Sequence, residues 1–235
     1  MHLSHRLQQI EESASVALAD KVRRLAAAGK KIIALQTGDP DFATPTPIVE
    51  AAYRAMREGW THYAASRGLP ELREAIAQKL RTVNQVEYDP DTEILVTNGG
   101  VHAFYCALSA IVNPGDEVLI PDPIWMTHVN VAKMLGAVVK RVPSRPEHNF
   151  WPHIDDWEDA VSPQTIALVV NSPNNPTGSL ASEEYLAGLV QFAARNNLYI
   201  ISDEVYEAIV FDNRKHVPVA SLPGARERTL LVNSF

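Results

Sequence analysis

IALVVNSPNNPTG, residues 166–178, decides the fold. Its first five residues are apolar and three of them are β-branched, so the run reads as a strand buried on both faces. The run then breaks into two prolines, three asparagines and a glycine. Such a loop is stiff, and its side-chain amides both donate and accept hydrogen bonds. The plainer reading is a connection that happens to be rich in turn formers.

The same grammar repeats on either side. Upstream lie ILVT (94–97), EVLIP (117–121) and AVVKRVP (137–143); downstream lie LYIIS (198–202) and TLLVN (229–233). Helical patterns separate them, over about 101–112, 125–135 and onward from Ser182. Short apolar runs alternating with helices predict an α/β fold: a doubly wound, mostly parallel sheet with helices on both faces. An N-terminal helical segment precedes it. Residues 7–29 read as a helix closed by Gly29, with further helices at 46–58 and 69–84, and 144–157 as a long surface loop. The expected division is 1–40 as an arm with part of a small domain, and 41–235 as the large domain.

Composition narrows the function. The chain has 235 residues, 46% hydrophobic and 21% charged, which suits a globular protein. A net charge of -7 disfavours nucleic acid and anionic membranes as partners. No apolar run approaches the length of a membrane span. Cys106 is the only cysteine, so no intrachain disulfide forms and a cytoplasmic setting is expected. No metal site is read from the pattern.

Ligands of open parallel sheets bind beyond the carboxyl ends of the strands. The unusual residues fall there. Gly99, Gly100 and Val101 pass from a strand to a helix, where free amides suit a phosphate, although a tight turn without ligand fits equally. Trp125 either stacks on a planar ring or fills core. Asp203 either pairs with a protonated ring nitrogen or caps a helix. Tyr206 lies within reach of the same place. His128 faces the same region as Trp125, or is a surface helix residue.

Taken together these stretches resemble the class I/II aminotransferases of pyridoxal-phosphate fold type I. The anchors are TGDPDFATP (37–45), THYAASRGLPELREAI (61–76), ILVTNGG (94–100), NSPNNPTG (171–178) and SDEVYEAIVF (202–211). The resemblance implies pyridoxal 5′-phosphate as cofactor, an amino acid and a 2-oxo acid as substrates, and a homodimer. It assigns the phosphate to Gly99, Gly100 and Val101, the ring face to Trp125, the ring nitrogen to Asp203, and the phenolic oxygen to Asn175 and Tyr206. Gly38, Trp125 and Asn175 would meet the substrate, and the partner subunit's Tyr63 would reach the phosphate. The Asn175–Pro176 bond is expected to be cis.

The family's lysine, which forms a Schiff base with the cofactor, would lie two positions past Phe235. On that basis the large domain is expected to be incomplete, the chain to be poorly stable alone, and no residue within it to be catalytic in its own right. Lys215 matches a surface position. A β-lyase or synthase on the same scaffold, or a noncatalytic binding relative, are the competing functions.

Overall fold

The computed structural model describes residues 2, 4–10, 14–38 and 40–235. Two compact units divide the chain, one of Met1–Ile10 with Arg67–Phe235 and one of Glu11–Ser66.

The smaller unit holds α1 (Ala14–Ala27) and α2 (Thr46–Arg57). Gly29 ends α1 at φ 77°, where glycine alone is unstrained, and Lys30 N returns to the Leu25 carbonyl. The helix expected over 7–29 therefore comes in pieces: His5–Gln9 is a 3-10 turn, and residues 11–13 lie outside the described residues. Helix α2 begins at prolines 45 and 47, which favour a first turn. Val49, Tyr53 and Met56 share one face of it, and all are exposed.

In the larger unit, α3 (Pro70–Lys79) runs into a π-type turn at Leu80–Asn84. Then follow α4 (Gly100–Ser109), β1 (Glu117–Asp122), α5 (Met126–Met134) and β2 (Val138–Pro143). Next come α6 (Ile154–Ala160), β3 (Thr165–Asn171), α7 (Glu183–Arg195), β4 (Tyr199–Asp203) and β5 (Thr229–Val232). The strands form one sheet in the order β2-β1-β3-β4-β5, and every pairing is parallel.

Strand alternation explains the two helical layers. Leu119, Leu168, Val170 and Ile200 face one side, where they pack with Trp157 of α6 and Phe192 of α7. Val118, Ile120, Ala167, Val169 and Ile201 face the other, with Phe104 and Leu108 of α4 and Val129 and Ala132 of α5. Each wholly buried aliphatic side chain of this kind contributes roughly 1.5–3 kcal/mol. The doubly wound α/β expectation therefore holds, with a sheet that is parallel throughout its described strands.

Two expected elements differ. Residues 94–97 form no strand: Val96 N bonds the Arg67 carbonyl, and none of the described strands pairs with the run. Residues 144–157 are not simply a surface loop. A 3-10 turn at Pro146–His148 and a bridge between Arg145 and Trp151 fold the segment back, and α6 starts inside it. The cause is aromatic burial: Trp151 packs on Tyr185, and Trp157 is fully covered.

Among the described residues no helix is long and apolar enough to cross a membrane.

Candidate active site

The strand order reverses between β1 and β3, and a crevice at the carboxyl ends is the expected ligand position for such a sheet. Four chain segments end there.

Asp203 is the last residue of β4 and is 4% exposed. Its backbone is paired on both sides, with Asn171 of β3 and Val232 of β5, so its Cβ has a fixed direction. Alternation places it on the α4–α5 side of the sheet. There its Oδ2 lies 2.7 Å from Nε2 of His128, which is 1% exposed. Oδ1 accepts from the Val205 amide at 3.3 Å. No helix begins at Asp203, so it caps none: one oxygen closes a turn onto Val205 while the other faces the imidazole.

His128 is the residue whose position the sequence leaves undecided, and the structure buries it. The edge-on rings of Phe104 and Trp125 enclose it, with centroids at 4.5 and 5.6 Å. Trp125 is the N-cap of α5 and is half-buried, its ring edge-on to that of His128.

The NSPNNPTG loop follows β3. Asn171 ties it to the sheet: its Oδ1 accepts from the Asn175 amide at 2.8 Å, and its Nδ2 donates to the Asp203 carbonyl at 3.2 Å. Asn175 Nδ2 then lies 3.4 Å from the Tyr206 hydroxyl. Asn174 accepts from both the amide and the hydroxyl of Thr177, which closes the turn. The Asp122–Pro123, Ser172–Pro173 and Asn175–Pro176 bonds are cis.

Gly99 precedes α4 at φ 84°, and no side chain caps that helix. In this turn Asn98 N donates to His102 Nδ1 at 3.1 Å, and Ala103 N bonds the Gly99 carbonyl. The first amides of a helix have no partner within it, the arrangement that suits an anion. A Cβ on Gly100 would come 3.3 Å from Val205 Cγ1, so this turn and the turn after Asp203 pack closely.

The larger unit thus brings Trp125, Asn175, Asp203 and Tyr206 together, with Gly99, Gly100 and Val101 at the neighbouring helix start. Gly38 and Tyr63 belong to the smaller unit, where both are exposed. Lys215 is exposed, as expected. The residues that sequence reading underrated are His128 and Asn171. Asn171 opens the NSPNNPTG octet four places before Asn175, a spacing that suits a loop-closing bond.

Comparison with known proteins fits this geometry. The model of the family "Aminotransferase class I and II" matches residues 30–235. The aspartate aminotransferase of Pyrococcus abyssi is 43% identical over 235 residues, which is 100% of this chain and 59% of that protein. The aspartate/prephenate aminotransferase of Thermus thermophilus is 41% identical, over 98% of this chain and 59% of its own length. A solved structure of the Thermus thermophilus aspartate aminotransferase with maleate superposes with a TM-score of 0.94 at 41% identity, covering 99% of this chain and 60% of that one. The chain therefore spans about 59% of the length of the curated relatives it matches.

Proposed function

Because the chain belongs to the class I and II aminotransferase family, we propose that its crevice holds pyridoxal 5′-phosphate and that the protein moves an amino group between an L-amino acid and a 2-oxo acid. The family uses this cofactor, and the donor set here suits it. When bound, the group supplies a ring that accepts the electron pair left when the amino acid loses its α-proton.

Asp203 carries the reading. A carboxylate buried at a strand end and oriented by His128 favours a proton on a ring nitrogen placed against it. Trp125 covers the ring face. Asn175 Nδ2 and Tyr206 Oη are two donors 3.4 Å apart, suited to one anionic oxygen. The amides after Gly99 take the phosphate, which needs the open approach that glycine leaves. Gly38, Trp125 and Asn175 would meet the substrate. The α-proton step is assigned to no residue of this chain.

The relatives' names favour aspartate as donor. A homodimer in which the partner subunit's Tyr63 reaches the phosphate is supported by the full exposure of Tyr63 and by the partly exposed apolar face of α2. The single free cysteine suits a cytoplasmic protein.

The test is titration with 4′-deoxypyridoxine 5′-phosphate, which lacks the aldehyde and needs no lysine. Saturable quenching of tryptophan fluorescence, lost in Asp203→Ala, is expected; absence of saturable binding would refute the site. In a form of the protein carrying the lysine, Asp203→Asn should slow amino transfer at least about a hundredfold, roughly 2.7 kcal/mol of transition-state stabilisation. Near-normal turnover would remove Asp203 from its role.

A further inference from the structure

Glu204 follows Asp203 without a spacer, and alternation turns it to the opposite face of the sheet. It is completely buried. A carboxylate in that position needs donors, since an unpaired buried charge is very costly. Three groups reach it. The Ser202 hydroxyl at 2.7 Å and the Val219 amide at 3.0 Å donate to Oε1, and His216 Nε2 lies 2.8 Å from Oε2. The His216 side chain is itself only 7% exposed.

These partners come from two places. Ser202 belongs to β4, whereas His216 and Val219 stand at the far end of the segment that leaves it. Residues 205–218 contain no helix or strand, and the backbone bonds at their start are two single turns, Glu207 N to Glu204 O and Ile209 N to Tyr206 O. The segment is held by side chains. Glu204 takes its far end; Glu207 takes Lys79 and Asn84; Arg214 reaches the Leu180 carbonyl. Tyr206 lies between the two glutamates. Its own contact with Asn175, at 3.4 Å, is long, so the backbone around it sets where its hydroxyl stands.

Glu204, Glu207 and His216 lie close enough together to suggest a cation site. The carboxylate oxygens already serve donors, including the Lys79 ammonium, while His216 Nδ1 is buried without a hydrogen-bond partner.

We propose that Glu204 and His216 form a positioning pair, which fastens residues 205–218 behind β4 and thereby sets where Asp203 and Tyr206 present to the cofactor ring. The proposal rests on the assignment of that ring to this crevice. Neither residue touches the crevice; both act through the backbone on either side of Tyr206.

The test uses the 235-residue chain, the variants His216→Leu, His216→Gln and Ser202→Ala, and 4′-deoxypyridoxine 5′-phosphate as probe. Amide hydrogen exchange reads the segment, and analogue affinity reads the site. Loss of the imidazole donor in His216→Leu should speed exchange over 205–217 about tenfold, leave β3 protected, and weaken the analogue about tenfold. Glutamine puts an amide donor near the position of Nε2, so His216→Gln should stay within about threefold of the parent in both readouts. Faster exchange without weaker binding would make the pair merely structural and overturn the proposal. Unchanged exchange, or a Gln variant as impaired as Leu, would overturn it as well. If His216→Leu also unprotects β3, Ser202→Ala decides by the same two readouts, with about threefold expected in each for one neutral donor lost. Failure of the parent chain to bind the analogue would instead sink the assignment of the crevice, and this proposal with it.

Discussion

His128→Phe isolates what the buried imidazole does for Asp203. The Asp203 side chain is 6% exposed and has two partners, His128 Nε2 at 2.7 Å and the Val205 amide at 3.3 Å. Phenylalanine keeps a ring against Phe104 and Trp125, so little packing is lost and the change is mainly electrostatic. Removing a donor from a buried carboxylate costs about 3 kcal/mol, well above the roughly 1 kcal/mol of an ordinary hydrogen bond. Asp203→Asn keeps the shape and removes the charge, so its cost should be about 1 kcal/mol. With asparagine in place, His128→Phe has no carboxylate left to strand, and its cost should fall to about 1 kcal/mol. The expected coupling is thus about 2 kcal/mol, a size reached only by residues in direct contact. Urea unfolding followed by far-UV circular dichroism measures all four corners of the cycle, provided the m-value holds constant. A coupling below about 0.5 kcal/mol would show that the imidazole does not hold the carboxylate.

Other outcomes follow from single contacts. Gly68→Ala should destabilise by at least about 2 kcal/mol, because φ is +98° and the new Cβ would fall 2.5 Å from Val96 Cγ2; a neutral urea midpoint would contradict that close approach. Tyr185→Phe strands the Trp157 indole N–H, which now donates to the Tyr185 hydroxyl at 3.0 Å, so about 1–3 kcal/mol should be lost; retention of stability would mean that the indole finds another acceptor. Burial also pushes the Tyr185 hydroxyl above its ordinary range, and it stays a neutral phenol through the neutral range. For Glu207, burial raises the carboxyl, but the bonds from Lys79 and Asn84 outweigh it and hold the group below its ordinary 4.5. A depressed carboxylate adds stability above pH 4.5 that is lost as pH falls through the folded value, so Glu207→Gln should flatten the acid limb of stability below pH 4.5. An unchanged acid limb would contradict that pairing.

What could be read from residues alone was whatever depended on short range. The runs at 117–121, 166–170, 198–202 and 229–233 are strands because β-branched residues bounded by turn formers leave little alternative. Ser182 caps α7 through the Tyr185 amide, a contact three residues long. Residues 94–97 carry the same local signal and form no ladder, since a strand needs a neighbour and pairing is not a local property. Burial of Trp151 and Trp157 was hidden for a similar reason: their contacts include Tyr185, far along the chain. In the site, Asp203 and Asn175 stood out because a motif surrounds each. His128 did not, as its partner lies 75 residues away and nothing near it in sequence marks the pairing. Glu204 stands within SDEVYEAIVF, yet its bond to His216 appears only once the intervening segment folds back.

The adjacency of Asp203 and Glu204 has a consequence for how the chain must assemble. Two acids that differ by one methylene stand side by side, and only the pleat sends one to the crevice and the other to the reverse face. A one-residue slip of β4 would exchange them with almost no change in composition or charge. Nothing in their chemistry would reject the error. Rejection falls to the neighbours: Asn171 on one side and Val232 on the other fix Asp203 in its row, and each pairing closes a loop of about thirty residues. Which acid faces the α4–α5 side is thus set by strand alignment. Ligand affinity in this protein should accordingly serve as a readout of correct alignment as much as of residue identity.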